Sequence, residues 1–394
     1  MNDCVRHRQV FYIPGYDPFP PRRYRELYRK QANEQATISG YDIALTAAGP
    51  YGWQVRSTQD GAQTLTDFQI LPWADIVRGS MGATIVATYA QLIRTAWAYI
   101  GSGVLWRLMR LRRGPVLTAL YPVVMLIVQA GIGLGLGLVV ASVLHGPVIL
   151  RAVLFMGVLI ATLRLFRRLD GRFFAYYLMH DYAFTARWNG AYPPELETRI
   201  AEFADTIAAA MQGTVDEVLV IGHSSGAHLA ISILADLSRQ GRISTDGPRL
   251  ALLTLGHVVP MVSFLPDAVR LRADLAALSA QDQIFWLDVS APGDPCCFAL
   301  CDPVAVTGVA LDQQHWPRVI SAAFRHSLSP ARRKRLRGRF FRLHFQYLCA
   351  FDTPQGYDYF RITAGPQTLA GRYRHRAPSP SRITRTANRH TATR

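Results

Sequence analysis

The chain has 394 residues and a formal net charge of +16, almost all from arginine; it is 50% hydrophobic and only 18% charged. The length admits one large α/β domain or two smaller ones, and the positive balance suits an anionic surface, either acidic lipid or nucleic acid. Cys4, Cys296, Cys297, Cys301 and Cys349 are too few and too irregular for a disulfide framework, and CC-x3-C is not a zinc spacing; no metal and no cofactor are expected.

The first residues, MNDCVRHRQV, lack the long apolar run of a cleaved signal. Gln9 to Ile13 predicts a strand, broken by Pro14-Gly15-Tyr16-Asp17-Pro18. Arg22 to Ala36 predicts a charged amphipathic helix. Ile38 to Ala47 and Tyr51 to Ser57 read as extended segments around an Ala-Gly-Pro turn, and Asp67 to Leu71 as a further strand. Gly79 to Ile93, an apolar stretch between Arg78 and Arg94, is too short to span a bilayer and predicts an interfacial or buried helix.

The character then changes. Gly114 to Leu150 contains no Asp, Glu, Lys or Arg, and beyond Arg151 the segment Ala152 to Leu163 is uncharged again. A spanning helix needs about 20 apolar residues. Val116 to Val140 supplies one span and Pro147 to Phe166 a second, with His145-Gly146-Pro147 as the turn. Gly131, Gly133, Gly135 and Gly137 give the small-xxx-small spacing that lets a partner helix approach. A buried hairpin in a soluble core is the competing reading, and so few charges over so long a stretch weigh against it. Arg107, Arg110, Arg112 and Arg113 precede the spans, and Arg164, Arg167, Arg168 and Arg172 follow them. The positive-inside rule therefore places both ends on the cytoplasmic side, as in an integral protein of a bacterial inner membrane.

After Arg172 the soluble pattern resumes. Pro194 to Met211 has apolar residues at helical spacing. Val218 to Ile221, Leu250 to Leu255 and Ile284 to Val289 predict strands, and Ala227 to Leu237 a helix. Pro317 to Phe324 predicts the start of a helix, and Phe340 to Leu343 a last short strand. Alternating strands and helices predict a mostly parallel, doubly wound sheet. The tail from Gly371 is basic and without periodicity, and predicts disorder.

The chemistry centres on VLVIGHSSGAHLA, Val218 to Ala230, where Gly222-His223-Ser224-Ser225-Gly226 joins an apolar strand to a helix. A serine on such a strained turn needs glycine on either side, because side chains there would meet backbone. In this stretch the sequence resembles the α/β-hydrolase superfamily of serine hydrolases, lipases and esterases among them. The resemblance covers roughly residues 8–72 and 190–366 and excludes the hydrophobic insert. It implies Ser224 as nucleophile, followed in chain order by an acid and then a histidine. For the acid it points to Asp294 in the Pro-Gly-Asp-Pro turn, with Asp302 and Asp288 as competitors. For the base it points to His344 in LHFQY, a His-x-x-Tyr pattern, with His315 and His326 as alternatives; His223 and His228 lie too close to the elbow. The oxyanion donors implied are the backbone N–H groups of Ser225 and, from the FYIPGYDP loop, of Tyr16.

The expected organisation is an N-terminal part of the hydrolase domain (1–72), a connecting interfacial region (73–113), a transmembrane hairpin (114–166), the rest of the hydrolase domain (167–370) and a basic tail (371–394). The expected activity is cleavage of a carboxylic ester or thioester, with lipids among the acyl substrates considered. A non-catalytic scaffold and an acyltransferase with the same triad are the rivals. Ala331 to Arg342, ARRKRLRGRFFR, places seven basic residues in twelve. With no nucleic-acid motif beside it, the stretch from Arg332 to Arg342 is expected to meet anionic lipid headgroups.

Overall fold

The computed structural model describes residues 3–394 apart from Pro18, Ala74, Val77, Arg78, residues 80–83 and Thr245. Strands β1 (His7–Ile13), β2 (Asp42–Ala48), β3 (Gly52–Gln59), β4 (Ala62–Ile70), β5 (Glu217–His223), β6 (Arg249–Leu255), β7 (Ile284–Ser290) and β8 (Arg318–Ser321) form one sheet in the order β2-β3-β4-β1-β5-β6-β7-β8. From β4 to β8 every neighbour is parallel, while β2, β3 and β4 form an antiparallel meander. The sequences explain the difference. Every residue of β5 and β7 is buried, as a parallel strand covered on both faces requires. In β3 and β4 burial alternates, as in a sheet with one wet face. The chain leaves β1 toward β4 on one side and returns to β5 on the other, so the strand order reverses between β1 and β5. A crevice opens at the carboxyl ends of strands at such a point.

Helices cover both faces. Helix α1 (Pro21–Ser39) buries Tyr24, Tyr28, Ala32 and Gln35 at helical spacing, and it packs on the face carrying Val10, Tyr12 and Phe68. Next come α2 (Ile85–Gly101), α3 (Val104–Leu111), α4 (Arg113–Val143), α5 (Val148–Arg168) and α6 (Ala175–Arg187). Helices α7 (Pro194–Met211), α8 (Gly226–Arg239) and α9 (Val269–Ser279) cover the opposite face through Ile200, Leu234 and Leu271.

Helices α4 and α5 are long and apolar enough to cross a membrane. At 1.5 Å per residue their 31 and 21 residues extend about 46 and 32 Å, against a hydrocarbon thickness of about 30 Å. In the most apolar window of α5 nothing is buried, and in that of α4 only 22%; a core helix of a soluble protein would be mostly covered. Of the four glycines, Gly133 and Gly137 face α5. A Cβ at Gly133 would lie 2.8 Å from Leu159 Cδ1, and one at Gly137 2.8 Å from the Phe155 ring. Gly131 and Gly135 face open space. Helix α2 is two-sided, burying Ala98 and Tyr99 and exposing Val86, Ile93, Trp97 and Ile100. It begins later than the expected Gly79–Ile93 helix, of which residues 80–83 lie outside the described residues.

Four expectations need correction. Helix α1 runs on through Ser39 and stops where Gly40 takes a left-handed conformation, so the expected strand from Ile38 begins only at Asp42. Arg318–Ser321, expected to open a helix, pairs with β7 because that edge offers a parallel ladder to Val319 and Ile320. Phe340 to Leu343, expected as a strand, belongs to a helical turn, Phe340–His344. The tail expected to be disordered is packed on the body. Ile383 N–H donates to the Leu300 carbonyl and the Asp302 N–H to the Ile383 carbonyl, while the buried Arg272 guanidinium donates to the carbonyls of Ala392, Ser263, Leu265 and Pro266. Composition weighed against order there, but backbone hydrogen bonding supplied it.

Candidate active site

Ser224 follows β5 and precedes α8 with φ at +58°, a left-handed conformation that costs a non-glycine residue free energy. The surroundings hold it there. Ser224 N–H donates to the Leu255 carbonyl at 2.9 Å. A Cβ at Gly222 would lie 2.6 Å from Ala227 Cα, and one at Gly226 2.2 Å from the Ile13 carbonyl oxygen. Both glycines are therefore required by close backbone approach, and the β1 loop sits directly against the turn.

That loop is fastened on both sides. Trp73 Nε1 donates to the Pro14 carbonyl at 2.9 Å, and the Tyr177 hydroxyl to the Tyr16 carbonyl at 2.6 Å. Tyr16 N–H, one of the two expected oxyanion donors, donates to Ser225 Oγ at 2.7 Å. That N–H is thus engaged by the hydroxyl of the residue after Ser224. Ser225 itself stands at the N-cap position of α8 without a side-chain capping bond, where backbone N–H groups lack helical acceptors and attract negative charge.

Of the expected acids, only Asp294 meets a histidine expected as base: its Oδ2 lies 2.7 Å from His344 Nδ1. The Tyr347 hydroxyl donates to the same oxygen at 3.1 Å, and Cys296 N–H to Oδ1 at 2.9 Å. Burial by itself would raise this carboxyl, but the adjacent His344 and the hydrogen bonds outweigh it and hold Asp294 below the usual carboxylate range. His344 Nε2 is buried without a hydrogen-bond partner among the described residues. Ser224 and His344 line the same cavity, of about 950 Å³.

The competitors have other partners. Asp302 accepts from the N–H groups of Val304 and Ala305, capping the helical turn Pro303–Thr307. Asp288 accepts from Thr254 Oγ1 inside the sheet. His315 and His326 are exposed. His223 stacks on His344 with ring centroids 4.9 Å apart; burial, with His344 alongside, pushes it down to about 3. His228 contacts the Tyr192 hydroxyl, and burial pushes it down to about 3 as well. Both are neutral near pH 7. A carboxylate oxygen of Asp294, the Cys296 sulfur and a ring nitrogen of His344 lie within 4.8 Å of one another, close enough to hold a metal. The Asp294–His344 hydrogen bond already accounts for that closeness, and burial beside Asp294 raises the Cys296 thiol, disfavouring the thiolate a metal needs.

Two features escaped the sequence. The first is helix α6, whose Tyr177, Leu178, Asp181, Tyr182 and Thr185 form one wall of the cavity; burial pushes Asp181 up to about 7. Their i, i+4, i+8 spacing was the available signal. The second is the foot of α4. Thr118 Oγ1 donates to the Pro295 carbonyl at 3.1 Å, and Pro115 and Thr118 line the cavity. The apolar hairpin therefore rests on the turn that carries Asp294. Compared with family models, curated proteins and solved structures, the chain finds no match in any of the three.

Proposed function

We propose that the protein is a membrane-held serine hydrolase of the α/β-hydrolase type that cleaves a carboxylic ester or thioester. One observation carries the reading: His344, bound at Nδ1 by Asp294 and unpartnered at Nε2, shares a cavity with a serine held at positive φ on a strand-to-helix turn. In this reading His344 Nε2 takes the Ser224 proton as Oγ attacks the acyl carbon. Asp294 fixes the imidazole tautomer and stabilises the imidazolium. The Ser225 and Tyr16 N–H groups receive the oxyanion, whose oxygen displaces Ser225 Oγ from Tyr16. The acyl–oxygen or acyl–sulfur bond breaks, the leaving group takes the proton from His344, and water then hydrolyses the acyl-enzyme. Helices α4 and α5 anchor the domain, and the flanking arginines favour a cytoplasmic site.

The test is hydrolysis of a short p-nitrophenyl ester and labelling by a fluorophosphonate probe, using full-length protein in detergent. Ser224→Ala is expected to abolish labelling and to lower kcat on the order of 10⁴-fold. Equal labelling of both proteins would overturn the nucleophile assignment, and labelling of neither would favour a scaffold.

A further inference from the structure

The segment Arg332 to Arg342 does more than decorate the surface. Arg332, Arg335, Arg339 and Arg342 line the same cavity as Ser224 and His344, and Arg23 and Lys30 of α1 line it too. The carboxylates that share the cavity are mostly committed elsewhere. Glu34 pairs with Arg332, Glu26 with Arg29 at 2.9 Å, and Asp17 accepts from the Tyr24 hydroxyl. Asp181 lies on the α6 wall. Arg332 is also held by Asp352 at 3.0 Å and by the Ala350 carbonyl. Arg335, Arg339 and Arg342 are exposed, and among the described residues none has a carboxylate partner. Guanidinium groups collected without counter-ions repel one another, and a planar fork of donors is matched by phosphate oxygens. The lining also includes apolar and aromatic side chains, with Tyr99, Leu178, Tyr182, Met261 and Val262 available to an acyl chain.

We propose that the substrate joins its acyl chain to a phosphate-bearing alcohol or thiol, and that Arg335, Arg339 and Arg342 hold that phosphate at the open side of the cavity. The inference rests on the hydrolase reading for the bond that is cut, but not for the binding. Phosphate on an acyl carrier has two sources, a phospholipid in the adjoining leaflet or a soluble nucleotide-linked thioester, and the experiment separates them.

Full-length protein in detergent or nanodiscs, and the variant Arg335→Ala/Arg339→Ala/Arg342→Ala, are assayed with palmitoyl-CoA, with phosphatidylglycerol vesicles and with neutral p-nitrophenyl butyrate. The variant is expected to lose kcat/KM for the phosphate-bearing substrate at least tenfold more than for the neutral ester, chiefly through KM. Turnover of palmitoyl-CoA alone identifies the soluble source, and turnover of phosphatidylglycerol alone the lipid. Equal losses on charged and neutral esters, or no loss on either, would overturn the proposal. Binding of palmitoyl-CoA and of phosphatidylglycerol vesicles is measured separately on Ser224→Ala with and without the triple substitution. A tenfold weakening there for either ligand supports the phosphate site even if hydrolysis is never seen, and unchanged binding of both overturns it even if hydrolysis is.

Discussion

Two buried aspartate–histidine pairs stand near the carboxyl end of β7, and they differ in what surrounds them. Asp294 and His344 are 2.7 Å apart, and His344 opens onto the cavity with Nε2 unpartnered. Asp288 and His257 are 3.8 Å apart with both side chains sealed from solvent, and His257 Nε2 contacts the Cys301 carbonyl at 3.0 Å. The residue types are the same. One pair sits in a turn beyond the strand and faces the space above the sheet; the other sits within the strand and faces packed protein. Among the described residues His257 Nδ1 is also unpartnered, so what separates the two pairs is access: only His344 lines the cavity, and a proton-transfer group must be reachable.

The comparison can be broken most sharply by removing each histidine. His344→Ala is expected to lower ester hydrolysis on the order of 10⁴-fold with little loss of thermal stability. His257→Ala should instead cost about 1–3 kcal/mol of stability, because it leaves the buried Cys301 carbonyl without its donor, and should leave hydrolysis within tenfold. Steady-state kinetics and melting curves on both variants decide this; the reverse pattern would exchange the roles of the two pairs.

A smaller effect separates the two acids by pH. The Asp294 carboxyl is depressed in the fold, so its contribution to stability is present above the unfolded value near 3.8 and is lost as pH falls through the folded one. Burial outweighs the opposing effects of His257 and the Thr254 hydrogen bond and raises Asp288. Its contribution is therefore present below the unfolded value and is lost as pH rises through the raised folded value. Asp294→Asn should lower the melting temperature more at pH 7 than at a pH below the lowered folded value, whereas Asp288→Asn should be relatively more stable at pH 7 than at about pH 4. Shifts of the same sign in both variants would contradict the difference in environment. The smallest effect concerns Ser225→Ala, which frees Tyr16 N–H without removing either backbone donor; kcat/KM is expected to stay within about threefold. A hundredfold loss would mean that the hydroxyl itself takes part.

Much of the framework was legible from local pattern. Pro194–Met211 was bounded correctly because its apolar residues recur at helical spacing, and β5 and α8 were located to within about two residues at each end because an apolar run meets a glycine-flanked turn. The apolar hairpin followed from length and the absence of charge. Short segments near the end were misread because five residues carry too little periodicity to separate a strand from a helical turn, as at Phe340–His344. The misreading did not displace His344, since the ring is placed by its contact with Asp294 rather than by the element that carries it. Tyr347 was visible as part of His-x-x-Tyr, but its bond to the acid was not.

By itself the sequence determined that a serine would occupy a strand-to-helix turn, and that two long apolar segments would adjoin a mostly parallel sheet. Both are consequences of residue type at fixed local spacing. Which of three aspartates meets which of three histidines was decided by the tertiary structure, because that choice joins turns 50 residues apart. The fold also decided that the foot of α4 rests on the Asp294 turn, and that a run of arginines read as a surface patch lines the cavity above Ser224. Such contacts depend on how separate elements pack, and no local period in the chain encodes them.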